Sequence, residues 1–395
     1  MSLNDTPSGE RIHIGFFGMR NAGKSSVVNA VTGQDLSVVS DVKGTTTDPV
    51  YKAMELLPMG PVVIIDTPGY DDEGQLGELR VKKTKQALNR CDCAVLIVDG
   101  VFGKRAQDIE LERLFRQKDL PYLIVYNKSD VSDKEYADGL SLSSFSKPDM
   151  ELLKNRISLL IKTDGDAKRI IGDKLNDGDL AVLVVPIDSA APKGRLILPQ
   201  QQTIRDILDA DAQAVVVKEN MLAETLHKLS VRPAVVITDS QVFKRVAKDT
   251  PDEIPLTSFS ILMARYKGFL SAAVKGASAL SRIENGDRIL ICEGCTHHRQ
   301  CDDIGTVKLP AWIRSFTGKN PVFEHTSGRE FPEDVSAYRI VVHCGGCMLN
   351  EREMRYRMKT VLDCGIPFTN YGTLIAHMNG ILERSLRIFP EITME

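Results

Sequence analysis

The stretch IHIGFFGMRNAGKSS, Ile12 to Ser26, decides how the chain is read. Its first half is an apolar run, Ile12–Phe17, with the character of a buried strand. Its second half places Gly18, four residues, then Gly23-Lys24-Ser25 at the point where a helical pattern, Lys24–Thr32, begins. A strand, a glycine-bounded loop and a helix N-terminus in that order form a phosphate cradle. Glycines let the backbone wrap the phosphates, and free N–H groups meet their negative charge. Lys24 is placed to reach the β- and γ-phosphates, and the Ser25 hydroxyl to ligate Mg²⁺, with Ser26 beside it.

Working outward, further pieces of a nucleotide site appear in order. The apolar strand Val62–Asp66 runs into Asp66-Thr67-Pro68-Gly69. Asp66 can hold the magnesium shell, and Gly69 can turn its N–H to a γ-phosphate and release it after hydrolysis. Between loop and strand lies KGTTTDPV; one of Thr45, Thr46 or Thr47 completes the magnesium shell, with Thr46 favoured. Asn127-Lys128-Ser129-Asp130 reads the base. Guanine presents two adjacent donors that the Asp130 carboxylate can accept together, and adenine lacks that pair. Lys128 is expected along the purine ring, and Ser143-Ser144 to offer backbone N–H groups to guanine O6. Tyr70 stands where signalling GTPases carry a water-orienting glutamine, so that part is missing.

Strand and helix patterns alternate through residues 11–165, which predicts a mostly parallel sheet covered by helices, a Ras-like P-loop fold. A polar Asp/Gly-rich stretch near TDGDAKRIIGDKLNDGDL marks a boundary, and DTPDEIPLTSFS a second break. The expected division is 1–167, 168–260 and 261–395, three α/β domains. The second domain carries no chemical motif, and its apolar surface is read as an interface. In the third, a long helix Ile261–Arg282 precedes strands Arg288–Cys292 and Tyr338–His343 and helices Glu351–Cys364, Tyr371–Asn379 and Gly380–Ile388.

A net charge of −3 over 395 residues argues against a nucleic-acid binder. No apolar run reaches the roughly 18 residues a membrane helix needs, and the N-terminus lacks the pattern of a signal peptide. A cytoplasmic location with no membrane partner is expected. There, eight cysteines are better explained by metal than by disulfides. Cys91, Cys93 and Cys364 are read as core packing. The other five fall in ICEGCTHHRQC and HCGGC. By spacing alone, Cys292, Cys295, Cys344 and Cys347 make a four-thiolate zinc knuckle. Cys295, Cys344 and Cys347 around an iron–sulfur cluster are a second option, with one iron left open. Catalytic zinc with His and Cys ligands is a third. If strands 288–292 and 338–343 are parallel, both ligand segments converge beyond their carboxyl ends. His297 and His343 each lie beside a cysteine, as transient ligands or outer hydrogen-bond donors.

The N-terminal block resembles the bacterial GTPases of tRNA modification and ribosome assembly. In relatives of that kind an asparagine at the position of Asn21 helps hold K⁺ beside the phosphates. A GTPase followed by Cys295-Thr296-His297 and then His343-Cys344-Gly345-Gly346-Cys347 resembles the [FeFe]-hydrogenase maturation GTPases, the HydF family. The resemblance covers the whole chain by domain order. It implies a middle domain for dimerisation, so a homodimer or higher oligomer, and a [4Fe–4S] cluster on Cys295, Cys344 and Cys347. It also implies a transient di-iron precursor bearing CO and cyanide, received from radical-SAM maturases and delivered to apo-[FeFe]-hydrogenase. GTP and GDP, Mg²⁺ and K⁺ are the implied cofactors of the first domain. Cys292, Cys301 and His298 fall outside the family pattern. The alternative is a zinc-containing GTPase of tRNA modification or ribosome assembly.

Overall fold

Near-continuous apolar runs such as Cys93–Asp99 suit strands buried on both faces, and such strands are parallel. The computed structural model bears this out; it describes residues 6–34, 48–70, 74–161, 168–187, 196–294, 303–328 and 330–393. The chain divides into two compact units, 1–166 and 167–395.

The first unit holds six strands: β1 (Ile12–Gly18), β2 (Val50–Leu56), β3 (Gly60–Asp66), β4 (Cys93–Asp99), β5 (Tyr122–Asn127) and β6 (Leu140–Ser141). Their order is β2-β3-β1-β4-β5-β6. All pairs are parallel except β2 with β3. This is the Ras-like arrangement. One apolar layer, including Val27, Val31, Val95 and Leu153, fills one face, and another, including Phe17, Leu96 and Phe115, fills the other. Cys91 and Cys93 are fully buried there, as expected.

The second unit holds two four-stranded sheets, both parallel. One is built from β7 (Leu180–Val184), β8 (Gln213–Val217), β9 (Val235–Thr238) and β10 (Leu256–Ser258) in the order β10-β9-β7-β8. The other is built from β11 (Arg288–Glu293), β12 (Val322–Ser327), β13 (Ile340–His343) and β14 (Phe368–Asn370), ordered β12-β11-β13-β14. A single apolar core runs from Ile170 to Phe389 and joins the two sheets. The unit is therefore one body built on two sheets. Its first residues are tied down by the buried Asp206 carboxylate, which accepts N–H bonds from Ile170, Ile171 and Gly172.

Three expectations are corrected. DTPDEIPLTSFS is not a plain break: it carries β10 and the start of the helix Phe259–Tyr266. The long helix expected over 261–282 is two helices, Phe259–Tyr266 and Leu270–Ala277, followed by the 3-10 turn Ser278–Arg282. Gly268 at φ 75° ends the first, since a left-handed residue terminates a helix. Cys364 is exposed, not core: it caps the helix Glu351–Asp363. Among the described residues no helix is long and apolar enough to cross a membrane.

Candidate functional site

The nucleotide loop forms as its residues require. β1 delivers the chain to Gly18, and the helix Lys24–Thr32 opens directly behind Gly23, its N-cap. Gly23 has φ 83°, and a Cβ there would lie 2.2 Å from Asn127 Nδ2. That closeness has a purpose: Asn127 Nδ2 donates to the Ala22 carbonyl at 3.1 Å, tying the base-reading motif to the phosphate loop. Lys24 is buried with its ammonium 3.8 Å from Asp66 Oδ1. Burial lowers its pKa, and the Asp66 carboxylate pulls it back up. Asp66 ends β3, buried, as expected. Ser25 is half-buried and Ser26 exposed at the helix start. A hydroxyl, a carboxylate and a helix N-terminus suit Mg²⁺ with a phosphate ligand. Thr45, Thr46 and Thr47 lie outside the described residues.

Gly69 is held against this loop, because the next residue, Tyr70, donates its N–H to the Gly18 carbonyl at 3.1 Å. Tyr70 itself is fully buried, with its hydroxyl on Glu110 at 2.8 Å. It is a core residue. Asn21 is exposed with φ 64°, a conformation asparagine tolerates.

On the base side, Lys128 has φ 74° and sits 2.6 Å from Asp99 Oδ2. Ser143 and Ser144 take a role the sequence did not signal. The Ser143 hydroxyl donates to Asp130 at 2.8 Å, aiming the carboxylate. The amides of the pair are engaged inside the protein: Ser143 N–H donates to Asp149 and Ser144 N–H to Asn127 Oδ1. The serine pair braces Asn127 and Asp130, where offering N–H groups to the base was expected.

The second constellation lies at the carboxyl edge of the second sheet. β11 and β13 are parallel neighbours, with Cys292 opposite His343. The two cysteine-bearing segments therefore leave the sheet side by side. Cys344 Sγ accepts N–H bonds from Gly294 at 3.1 Å and Gly346 at 3.4 Å. Two amide N–H groups aimed at one sulfur suit a thiolate better than a neutral thiol. Burial raises the pKa of Cys344, against those two N–H bonds, and pushes Cys347 up to about 12. A metal taken up by these thiols would displace their protons. Gly346 has φ 65°, and a Cβ on it would meet the Met354 sulfur at 2.5 Å, so the turn packs tightly on the helix behind it.

Cys292 is fully buried within β11, and burial pushes its thiol up to about 12. It is a packed strand residue. His343 is also fully buried. Its Nδ1 faces the Cys344 carbonyl at 2.8 Å and its Nε2 faces Arg357 at 3.1 Å. Both nitrogens are engaged, which makes it an outer donor in this arrangement. Cys295, His297, His298 and Cys301 lie outside the described residues. Among the described residues, no three His, Cys, Asp or Glu side chains form a metal-binding group. Arg357 and Gly294 are the residues sequence reasoning missed. Gly294 had a signal, being a glycine beside an expected ligand; Arg357 had none, standing among the charged residues of the helix Glu351–Asp363.

The motifs and fold define a P-loop GTPase domain followed by a two-sheet α/β unit with a cysteine turn at one sheet's edge. A family model described as "50S ribosome-binding GTPase" matches residues 13–128. Models described as "Hydrogen maturase F dimerization domain" and "Hydrogen maturase F tetramerization domain" match residues 170–268 and 271–388. Those two together span more than half of the chain, and the chain belongs to the hydrogen maturase F family. Curated relatives match the first unit. GTPase Der of Kosmotoga olearia is 32% identical over 143 residues, 35% of this chain and 32% of that protein. The tRNA modification GTPase MnmE of Chromobacterium violaceum is 35% identical over 167 residues, 40% and 36% of the two chains. The match thus spans about a third of the length of these relatives. A solved structure of Era with MgGDPNP and a segment of 16S ribosomal RNA aligns at a TM-score of 0.34 and 17% identity, covering 52% of this chain and 91% of that one; likeness at that level carries no inference.

Proposed function

We propose that the chain is a GTP-hydrolysing scaffold and carrier in the maturation of [FeFe]-hydrogenase. In this reading Cys295, Cys344 and Cys347 hold a [4Fe–4S] cluster, and a di-iron precursor with CO and cyanide ligands is the cargo. The cargo comes from radical-SAM maturases and goes to apo-hydrogenase. One observation carries the reading: the parallel register of β11 and β13 brings Gly294, the residue before Cys295, within 3.1 Å of Cys344 Sγ. Soft thiolates with amide donors at the sulfur suit an iron–sulfur cluster. Three thiolates leave one iron open to exchange. When bound, the cluster would supply an open iron site at which cargo could be held; the protein would supply the thiolate ligands and their orientation. A zinc-containing GTPase of tRNA modification is not favoured, because residues 170–388 match hydrogen maturase F models. The working division places oligomerisation in 168–260 and cluster chemistry in 261–395.

In the first unit, Lys24 and the helix N-terminus meet phosphate charge, Ser25 and Asp66 hold Mg²⁺, and Asp130, aimed by Ser143, selects guanine. Nucleotide state then biases a conformational equilibrium that times cargo release. Phosphoryl transfer also calls for extra positive charge at the phosphates, which an arginine finger supplies in other GTPases. K⁺ beside Asn21 supplies it. Turnover of GTP is expected to be about tenfold or more higher in K⁺ than in Na⁺ for the natural protein, and equal in both salts for Asn21→Ala. Equal rates in the natural protein would remove K⁺ from the reading.

Self-association follows from the edge of the first sheet in the second unit. β8 is an edge strand, apolar from Ala214 to Val217, with Val216 44% exposed. Such an edge is a template for pairing with another chain. Val216→Lys is expected to shift the particle to a smaller oligomer in sedimentation, with the fold retained. An unchanged mass would place the contact elsewhere.

A further inference from the structure

Behind the cysteine turn lies a buried polar chain that the cluster reading does not use. Arg357 is the largest fully buried side chain of the molecule's described residues. It projects from the helix Glu351–Asp363. Its Nε donates to Glu353 Oε1 at 2.9 Å, one Nη to the Gly328 carbonyl at 2.9 Å, and the other lies 3.1 Å from His343 Nε2. Its guanidinium lies over the Phe331 ring at 5.2 Å. A guanidinium can only donate, so Nε2 of His343 must accept. A carbonyl can only accept, so Nδ1 of His343 must carry the proton it gives to Cys344 O, 2.8 Å away. The two contacts fix one tautomer and one ring orientation.

The charge balance supports a lock of this kind. Glu353 is buried and neutralises Arg357. A neutral histidine then completes the guanidinium's hydrogen bonds without a second buried cation. The far end of the chain is the peptide carbonyl of Cys344, the same residue whose sulfur accepts N–H bonds from Gly294 and Gly346. Imidazole binds iron through the lone pair of a neutral ring nitrogen. Here that lone pair is occupied by Arg357, and the other nitrogen is protonated.

We propose that Arg357 is a positioning residue that, through Nε2, withholds the His343 ring from iron and holds it as the donor that orients the Cys344 peptide. The inference rests on the cluster reading for its consequence: the cluster keeps an exchangeable corner although a histidine stands next to a ligand. Such a device separates a carrier site from a closed one.

Two measurements test it. In the metal-free full chain labelled with ¹⁵N-histidine, His343, assigned by difference with His343→Gln, is expected to show the Nδ1–H tautomer with Nε2 as acceptor. The opposite tautomer, or an exchanging mixture, overturns the lock whether or not iron binds. In the reconstituted, reduced protein, pulsed EPR is expected to give the same ¹⁴N pattern for the natural chain and His343→Gln. Arg357→Met is expected to gain an imidazole ¹⁴N coupling that the double variant Arg357→Met/His343→Gln loses, and Arg357→Lys, which keeps a donor, to resemble the natural chain. A ¹⁴N coupling in the natural chain that His343→Gln removes would overturn the proposal, as would an Arg357→Met spectrum identical to the natural one. If Arg357→Met does not fold, the tautomer and the His343→Gln comparison still decide. A natural chain that takes up no iron would count against the cluster reading and leave the tautomer result standing.

Discussion

Cys344→Ser is expected to strip the protein of its cluster, with iron per chain after anaerobic reconstitution falling to a small fraction of the natural value. The effect is large because Cys344 is the best-prepared of the described thiols. Its sulfur already receives two amide N–H bonds, and its peptide carbonyl is held by His343. Serine offers a hard, protonated oxygen where iron–sulfur clusters take thiolate. The fold is expected to survive, because the turn sits on a sheet anchored in the unit's shared apolar core, so circular dichroism and the melting temperature serve as controls. Cys292→Ser is the contrast: its thiol is buried inside β11, and iron content is expected to stay near the natural level. Loss of the cluster in Cys292→Ser with retention in Cys344→Ser would reverse the ligand assignment.

Lys24→Ala is expected to lower kcat/KM for GTP by at least about a hundredfold, the scale of removing one preorganised charge from a site of developing negative charge. Lys24 is the buried cation of the phosphate loop and lies 3.8 Å from Asp66. Its removal takes away the phosphate contact and leaves the Asp66 carboxylate without that counter-charge. The loss is expected in kcat as well as in nucleotide affinity. Iron content is expected to be unchanged, since the cysteine turn belongs to a separate compact unit. GTP turnover within about threefold of the natural chain would take Lys24 out of the chemistry.

How much of this was legible in the sequence varies with the physics of each element. Long, strongly patterned segments were read closely: the helix Lys24–Thr32 matches its expected bounds. The parallel pairing of β11 and β13, posed as a condition, is met. Three-residue strands such as β10 and β14 carry no period to detect. β12 was missed because Val322–Ser327 is partly polar and half-buried along most of its length. The helix Leu309–Thr317 was missed as well.

The site divides the same way. Motif glycines and charged residues announce themselves by spacing, because phosphate and guanine impose that spacing. Residues that support them do not. Ser143 aims Asp130 through a hydroxyl, although its sequence context pointed to the backbone. Glu353 and Arg357, four apart on a charged helix, look like a surface ion pair. Only the tertiary packing reveals that both are buried and that Arg357 reaches His343. Cys364 was misread in the opposite sense: the expected helix Glu351–Cys364 already ended there, but a cysteine was taken as core where the helix end stands in solvent.

The central claim is that Cys344 and Cys347 serve an iron–sulfur cluster beside a GTPase. The most direct test is the iron, acid-labile sulfide and zinc content of the full chain purified without oxygen. About four irons and as many sulfides per chain, with no zinc, are expected. One zinc per chain without sulfide would contradict the claim and return HCGGC to a structural knuckle.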